Sequence, residues 1–107
     1  METVVELTDG NFADEISEGV TLVDFWAPWC GPCRSQGPIV EEVAAHVGDK
    51  ATVAKVNVDD APKAANRFGI RSIPTLIVFR DGKPVEQFVG VTQRHVLVSA
   101  IENAQQR

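Results

Sequence analysis

Two cysteines, Cys30 and Cys33, are the only thiols in the chain, with Gly31 and Pro32 between them and Trp29 just before them. Thiols separated by two residues can close into a small ring, which makes the pair a reversible two-electron carrier and a poor structural staple. The second thiol can also reach any bond the first one makes. Pro32 suits the first turn of a helix, where its missing N–H costs nothing. Cys30 is therefore placed at or just before that turn, with backbone N–H groups directed at its sulfur. A helix N-terminus favours negative charge by roughly 0.3 to 1 kcal/mol, and by up to about 2 when partly buried. One pKa unit is about 1.4 kcal/mol, so moderate activation of a thiolate follows. A histidine between the cysteines would push further toward thiolate and suit an oxidant. Gly31-Pro32 argues instead for a disulfide reductant.

Two blander readings of the pair fare worse. Structural zinc wants four ligands, and only His46 and His95 remain as nitrogen donors, neither at finger spacing, so no metal site is expected. Inert core thiols would not account for Gly and Pro held between two cysteines where a strand gives way to a helix.

The elements that must position this pair can be read from apolar periodicity. Val4 to Leu7 reads as a short strand, after which Thr8 or Asp9 can cap a helix with Phe12 and Ile16 on its buried stripe and Gly19 at its exit. Val20 to Ala27 is apolar except at Thr21 and Asp24, as expected of a central strand covered on both faces. A helix from around Cys30 to Gly48 carries Ile39, Val40, Val43, Ala44 and Val47, with Pro38 expected to kink it without breaking it. Ala51 to Val58 is a third strand. A short helix from Ala61 or Pro62 to Phe68 follows, then two strands, Thr75 to Arg80 and Val85 to Val89, around an Asp81-Gly82 turn. Thr92 is expected to cap a last helix burying Val96, Leu97, Ala100, Ile101 and Ala104. The order βαβαβαββα implies an α/β fold, a three-layer sandwich whose parallel strands share a sheet with an antiparallel hairpin at one edge. In such a sheet, sites form beyond the carboxyl ends of the strands, which is where Cys30 falls.

Composition narrows the field of functions. The 107 residues match one domain, 1–107, and no linker or repeat divides them. Fifteen Asp and Glu against ten Lys and Arg give a net charge of -5, which repels phosphate backbones and anionic lipid, so nucleic acid and membrane are not expected as partners. The longest uncharged run, Phe25 to Cys33, is nine residues, far short of the roughly 18 to 20 apolar residues a membrane span needs. The first residues carry Glu2 and Glu6 and no apolar stretch like a secretory signal, so a cytoplasmic location is expected. Glu41-Glu42 and Asp59-Asp60 read as solvated acids with no catalytic part.

The segment Val23-Asp24-Phe25-Trp26-Ala27-Pro28-Trp29-Cys30-Gly31-Pro32-Cys33 resembles the active-site segment of thioredoxins. Pro38, Lys55, Ser72-Ile73-Pro74-Thr75, Asp81-Gly82 and Gly90 lie where that family carries equivalent features, so the resemblance spans essentially the whole chain. It implies the thioredoxin fold and a protein-disulfide reductant in which Cys30 attacks a disulfide and Cys33 resolves the mixed disulfide. It also implies recycling by a thioredoxin reductase, either a flavoprotein drawing on NADPH or a ferredoxin-linked enzyme. This chain has no Gly-rich dinucleotide fingerprint and is expected to hold no cofactor of its own. A monomer is expected.

Further site residues follow from their surroundings and from the resemblance together. A carboxylate in a doubly covered strand is heavily desolvated, so Asp24 is either a satisfied core acid or, as the resemblance implies, a group of raised pKa that moves the Cys33 proton. Lys55 lies in the strand expected beside that of Asp24, as a partner to it or as a lysine reaching for solvent; the resemblance favours a supporting role. Trp29, Gly31 and Pro32 beside the nucleophile offer a platform for a protein substrate, whereas Trp26 is assigned to the core. The resemblance also implies a cis bond before Pro74, leaving the Ile73 backbone to pair with an extended substrate segment in a groove shared with Gly90 and Val91. The chain departs from the family pattern at Arg34-Ser35-Gln36-Gly37, where apolar residues and alanine are more usual, and Gln36 is expected on the substrate-facing rim. A non-catalytic scaffold using the same groove, and an oxidase or isomerase, are the competing functions.

Overall fold

The computed structural model describes residues 4–106. Its strands are β1 (Val5–Leu7), β2 (Val20–Trp26), β3 (Thr52–Asn57), β4 (Thr75–Arg80) and β5 (Lys83–Val89). Its helices are α1 (Phe12–Glu15), α2 (Gly31–Val47), α3 (Pro62–Arg67) and α4 (Arg94–Gln105), with a 3-10 turn at Gly48–Lys50. The five strands form one sheet in the order β1-β3-β2-β4-β5, with β1, β3 and β2 parallel and β4 and β5 antiparallel. This is the α/β arrangement expected, with β2 at the centre and the β4–β5 hairpin at one edge.

Period-two alternation sends the two sides of each strand to different helix pairs. Val20, Leu22, Val53, Leu76 and Val78 pack with Val40, Val43, Ala44 and Val47 of α2 and Leu97, Ala100, Ile101 and Ala104 of α4. Val23, Phe25, Ala54, Val56, Ile77 and Phe79 pack with α1 and α3 on the other face, where Phe12 meets the rings of Phe25, Phe68 and Phe79. Asp24 follows Leu22 on the even side of β2 and so points under α2. That alternation, more than any local signal, brings a carboxyl group beneath the helix that carries Cys33.

The helix α2 runs unbroken through Pro38, and the residue before it is Gly37, whose missing Cβ relieves the clash that a proline imposes on its predecessor in a helix. It ends at Gly48 with φ 58°, a left-handed exit that glycine adopts without a Cβ penalty. The hairpin turn has positive φ at both Asp81 and Gly82, the twist that two-residue turns need.

Two capping expectations are corrected. Gln93, not Thr92, stands at the N-cap of α4, and Thr92 is buried behind it. At α1 the N-cap is Asn11, whose Oδ1 accepts the Thr8 N–H at 2.7 Å while Thr8 Oγ1 accepts the Asn11 N–H at 3.3 Å. Asp9 serves a different helix. Its carboxylate accepts from Lys63 N at 3.2 Å and Ala64 N at 2.8 Å, filling the role that Ala61 at the N-cap of α3 cannot. Asp9→Ala is expected to cost about 1 kcal/mol and so to lower the thermal midpoint by about 4–8 °C, with the transition still cooperative in a calorimetric scan.

Candidate active site

The strand β2 ends at Trp26, and the turn Ala27–Trp29 delivers Cys30 to the N-cap of α2, where its φ of -88° and ψ of 113° are extended. Pro32 occupies the first turn of the helix, as its fixed φ allows. The Cys33 N–H, one of the orphan donors of that turn, donates to Cys30 Sγ at 3.2 Å. The two sulfurs are joined in a disulfide with their Cα atoms 5.3 Å apart. The oxidised form of the carrier is therefore the one in view.

The sulfurs are almost equally buried, 5% and 6% exposed for Cys30 and Cys33, so exposure does not tell them apart. Their surroundings do. Cys30 Sγ lies 3.6 Å from the Ile73 carbonyl oxygen, and the Ile73–Pro74 peptide bond is cis. The Gly90 N–H donates to Pro74 O at 2.8 Å, which brings the segment after β5 alongside. Cys33 lines a pocket of about 170 Å³ with Asp24, Trp26, Ala27, Pro28, Arg34, Gly37 and Lys55. One cysteine thus faces an open backbone edge and the other faces a cavity containing a carboxyl group.

Asp24 is 3% exposed, and its Oδ1 has no protein hydrogen-bond partner among the described residues. Burial pushes its pKa from 3.8 up to about 7, and the positive charge of Lys55 opposes part of that rise. Lys55 is paired in register with Asp24 across β2 and β3. Its Nζ lies 3.8 Å from Glu6 Oε1 and 5.3 Å from the centre of the Trp26 ring, with the side chain 40% exposed. Lys55 thus reaches solvent and pairs with Glu6 rather than Asp24, on which it acts through its charge from the neighbouring strand.

Trp29 is 67% exposed, and its indole N–H donates to Asp59 Oδ2 at 2.9 Å. Gly31, Pro32 and Val91 are also exposed, whereas Ile73 and Gly90 are half-buried and Pro74 is buried. Trp26 is partly buried against Ala27, Cys30 and Cys33. The structure therefore gathers Asp24, Trp29, Cys30, Gly31, Pro32, Cys33, Lys55, Ile73, Pro74, Gly90 and Val91 at the carboxyl end of β2 and its neighbours. Asp59 is exposed, as a solvated acid should be, and only the fold shows that it also accepts the Trp29 indole N–H. Gln36 is corrected: it is fully buried rather than on the rim. Among the described residues no group of three or more His, Cys, Asp or Glu side chains could hold a metal, and no helix is long and apolar enough to cross a membrane.

The sequence model of the thioredoxin family matches residues 3–103. A thioredoxin of Staphylococcus saprophyticus is 50% identical over 99 residues, covering 92% of this chain and 95% of the relative. Among solved structures, a thioredoxin of Malassezia sympodialis superposes with a TM-score of 0.86 at 33% identity, over 98% of this chain and 93% of its own. A mutant thioredoxin of Halobacterium salinarum also superposes at 0.86, with 37% identity over 94% and 89%.

Proposed function

The chain belongs to the thioredoxin family and is a dithiol–disulfide reductant, and from that premise we propose a division of labour among its site residues. Cys30 is the nucleophile. Its thiolate attacks one sulfur of a substrate disulfide, forming a Cys30–substrate disulfide and expelling the other substrate sulfur as a thiolate. Cys33 then gives up its proton and attacks the Cys30 sulfur, so that the second substrate thiol leaves and the Cys30–Cys33 disulfide closes. Two electrons pass from the protein dithiol to the substrate, and the electron carrier is the cysteine pair itself.

The observation that carries this assignment is the asymmetry around the pair. The Cys33 N–H bond to Cys30 Sγ favours negative charge on Cys30, while Cys33 shares its pocket with Asp24. A carboxylate whose pKa sits at about 7 can accept a proton near neutrality, and the pocket is large enough for a water to relay it. Lys55 sets the charge that Asp24 experiences. Trp29, Gly31, Pro32, Ile73, Gly90 and Val91 form the substrate groove, with the Ile73 backbone available to an extended segment beside the disulfide it carries.

Thioredoxins are re-reduced by a thioredoxin reductase and act on disulfide substrates. We place this one, as a monomeric single domain, in a reducing cytoplasm, where a pair holding every cysteine of the chain is kept in its working form. The test is alkylation of the reduced protein followed by peptide mapping. Near neutrality iodoacetamide is expected to modify Cys30 well before Cys33, and equal rates at the two sulfurs contradict the assignment.

A further inference from the structure

Gln36 lies one turn beyond Cys33 on the inward face of α2 and is 0% exposed, at a position flanked by the buried Cys33 and Val40. Its amide spends both functions on one backbone residue. Nε2–H donates to the Thr92 carbonyl at 3.0 Å, and Oε1 accepts the Thr92 N–H at 2.7 Å. No other described side chain on α2 reaches the segment between β5 and α4 by a hydrogen bond.

From Thr92 the bonds lead back to the redox pair. Thr92 Oγ1 donates to Gly90 O at 3.0 Å, and Gly90 N–H donates to Pro74 O at 2.8 Å. The Ile73 carbonyl oxygen is 3.6 Å from Cys30 Sγ, which in turn accepts the Cys33 N–H one turn before Gln36. The circuit begins and ends on α2. Val91 sits between two of its anchors, 43% exposed, after a glycine with φ 92° whose added Cβ would meet nothing within 4 Å. Little packing holds Val91, so beyond the Gly90–Pro74 bond the course of this stretch beside the cysteines depends on the Gln36 clamp at Thr92.

We propose that Gln36 is a positioning residue for protein substrates: by clamping the Thr92 peptide it holds Gly90 and Val91 as a wall of the groove that receives an extended, disulfide-bearing segment. The inference rests on the groove described above and adds to it a residue no substrate can touch. A small disulfide needs only the sulfurs, whereas a polypeptide needs the wall.

The experiment compares reduced wild-type, Gln36→Leu, Gln36→Met and Val91→Ser proteins on insulin, a protein disulfide, and on dithiobis(nitrobenzoate), a small one. With Gln36→Leu or Gln36→Met, Thr92 loses both partners, and the second-order rate on insulin is expected to fall about tenfold. The rate on the small disulfide and the alkylation rate of Cys30 are expected to stay unchanged. Equal losses on both disulfides, or none on either, overturn the proposal. A loss in Val91→Ser without one in the Gln36 variants overturns the clamp and leaves the groove standing. No loss in any variant overturns both, and a loss only in the Gln36 variants overturns the proposal because the wall is then not the route. Hydrogen exchange on the wild-type protein tests the clamp without a substitution: the Thr92 amide is expected to exchange as slowly as the amides of β4, and fast exchange there refutes it.

Discussion

A Cys33→Ser protein mixed with a disulfide substrate is expected to accumulate as a covalent adduct through Cys30, with its turnover reduced by about a thousandfold or more. The size of the loss follows from geometry. In the native protein the resolving sulfur is one helical turn from the bond it must break, and well-oriented intramolecular attack proceeds as though its partner were at about 10⁵ M or higher. Millimolar external thiol cannot replace it. Cys30→Ser is expected to form no adduct and to show no turnover, because Cys33 lacks both the N-cap position and the approach past Ile73. Mass spectrometry of the trapped species, together with an insulin reduction assay, separates these outcomes. An adduct found through Cys33 in the Cys30→Ser protein, and none through Cys30, reverses the roles. Turnover surviving in both variants removes the pair from the chemistry and restores the scaffold reading.

The same pair shows how far local sequence carries a fold. Strand alternation, the proline in the first turn of α2 and the handedness of the crossover were enough to place Cys30 at a helix start, and they set Asp24 beside Lys55 in adjacent strands. These are signals written within one element or between consecutive ones. The contacts of Asp9, Gln36 and Asp59 escape the sequence for a common reason: each bonds a partner 30 to 56 residues away. A capping residue is sought just before its own helix, so Asp9 competes with Thr8 for the start of α1, whereas its carboxylate crosses to α3. A glutamine in an amphipathic helix is read as a surface residue because burying an amide is costly unless both ends are bonded. Only the fold reveals that Thr92 offers both bonds at once. Asp59 illustrates the converse, an exposed acid whose meaning comes from the indole that the Cys30 turn presents to it. The elements are thus readable from the chain itself, while the polar ties between distant loops require the folded backbone.

Replacing Asp24 with asparagine is expected to make the oxidised protein more stable at pH 8 and no different at pH 3, while slowing reduction of substrates. Below pH 3.8 the carboxyl is protonated in the folded and unfolded chain alike and contributes no difference. Between pH 3.8 and about 7 the unfolded chain has released its proton and the folded chain has not, because burial opposes the charge. Stability therefore falls as pH rises across that window, by about 1.4 kcal/mol per unit. The accumulated loss is about 4 kcal/mol at pH 8, and Asp24→Asn removes it because the amide never ionises. Urea unfolding at pH 3, 5 and 8 checks this: the two proteins should coincide at the first and diverge progressively at the others. Lys55→Met acts in the opposite sense. It deletes the charge that pulls the Asp24 pKa down, so a titration of the Asp24 carboxyl followed by NMR is expected to move to higher pH. The kinetic half of the expectation turns on the same proton. The wild-type rate should rise as Asp24 ionises near pH 7 and becomes able to take the Cys33 proton, and that inflection should vanish in Asp24→Asn. An asparagine variant that gains stability yet keeps the rate and its pH profile would show that the buried acid is only a burden on the fold. A variant that gains stability and loses the inflection shows that the desolvation which destabilises the strand is also what tunes its carboxyl to the chemistry of the neighbouring thiol.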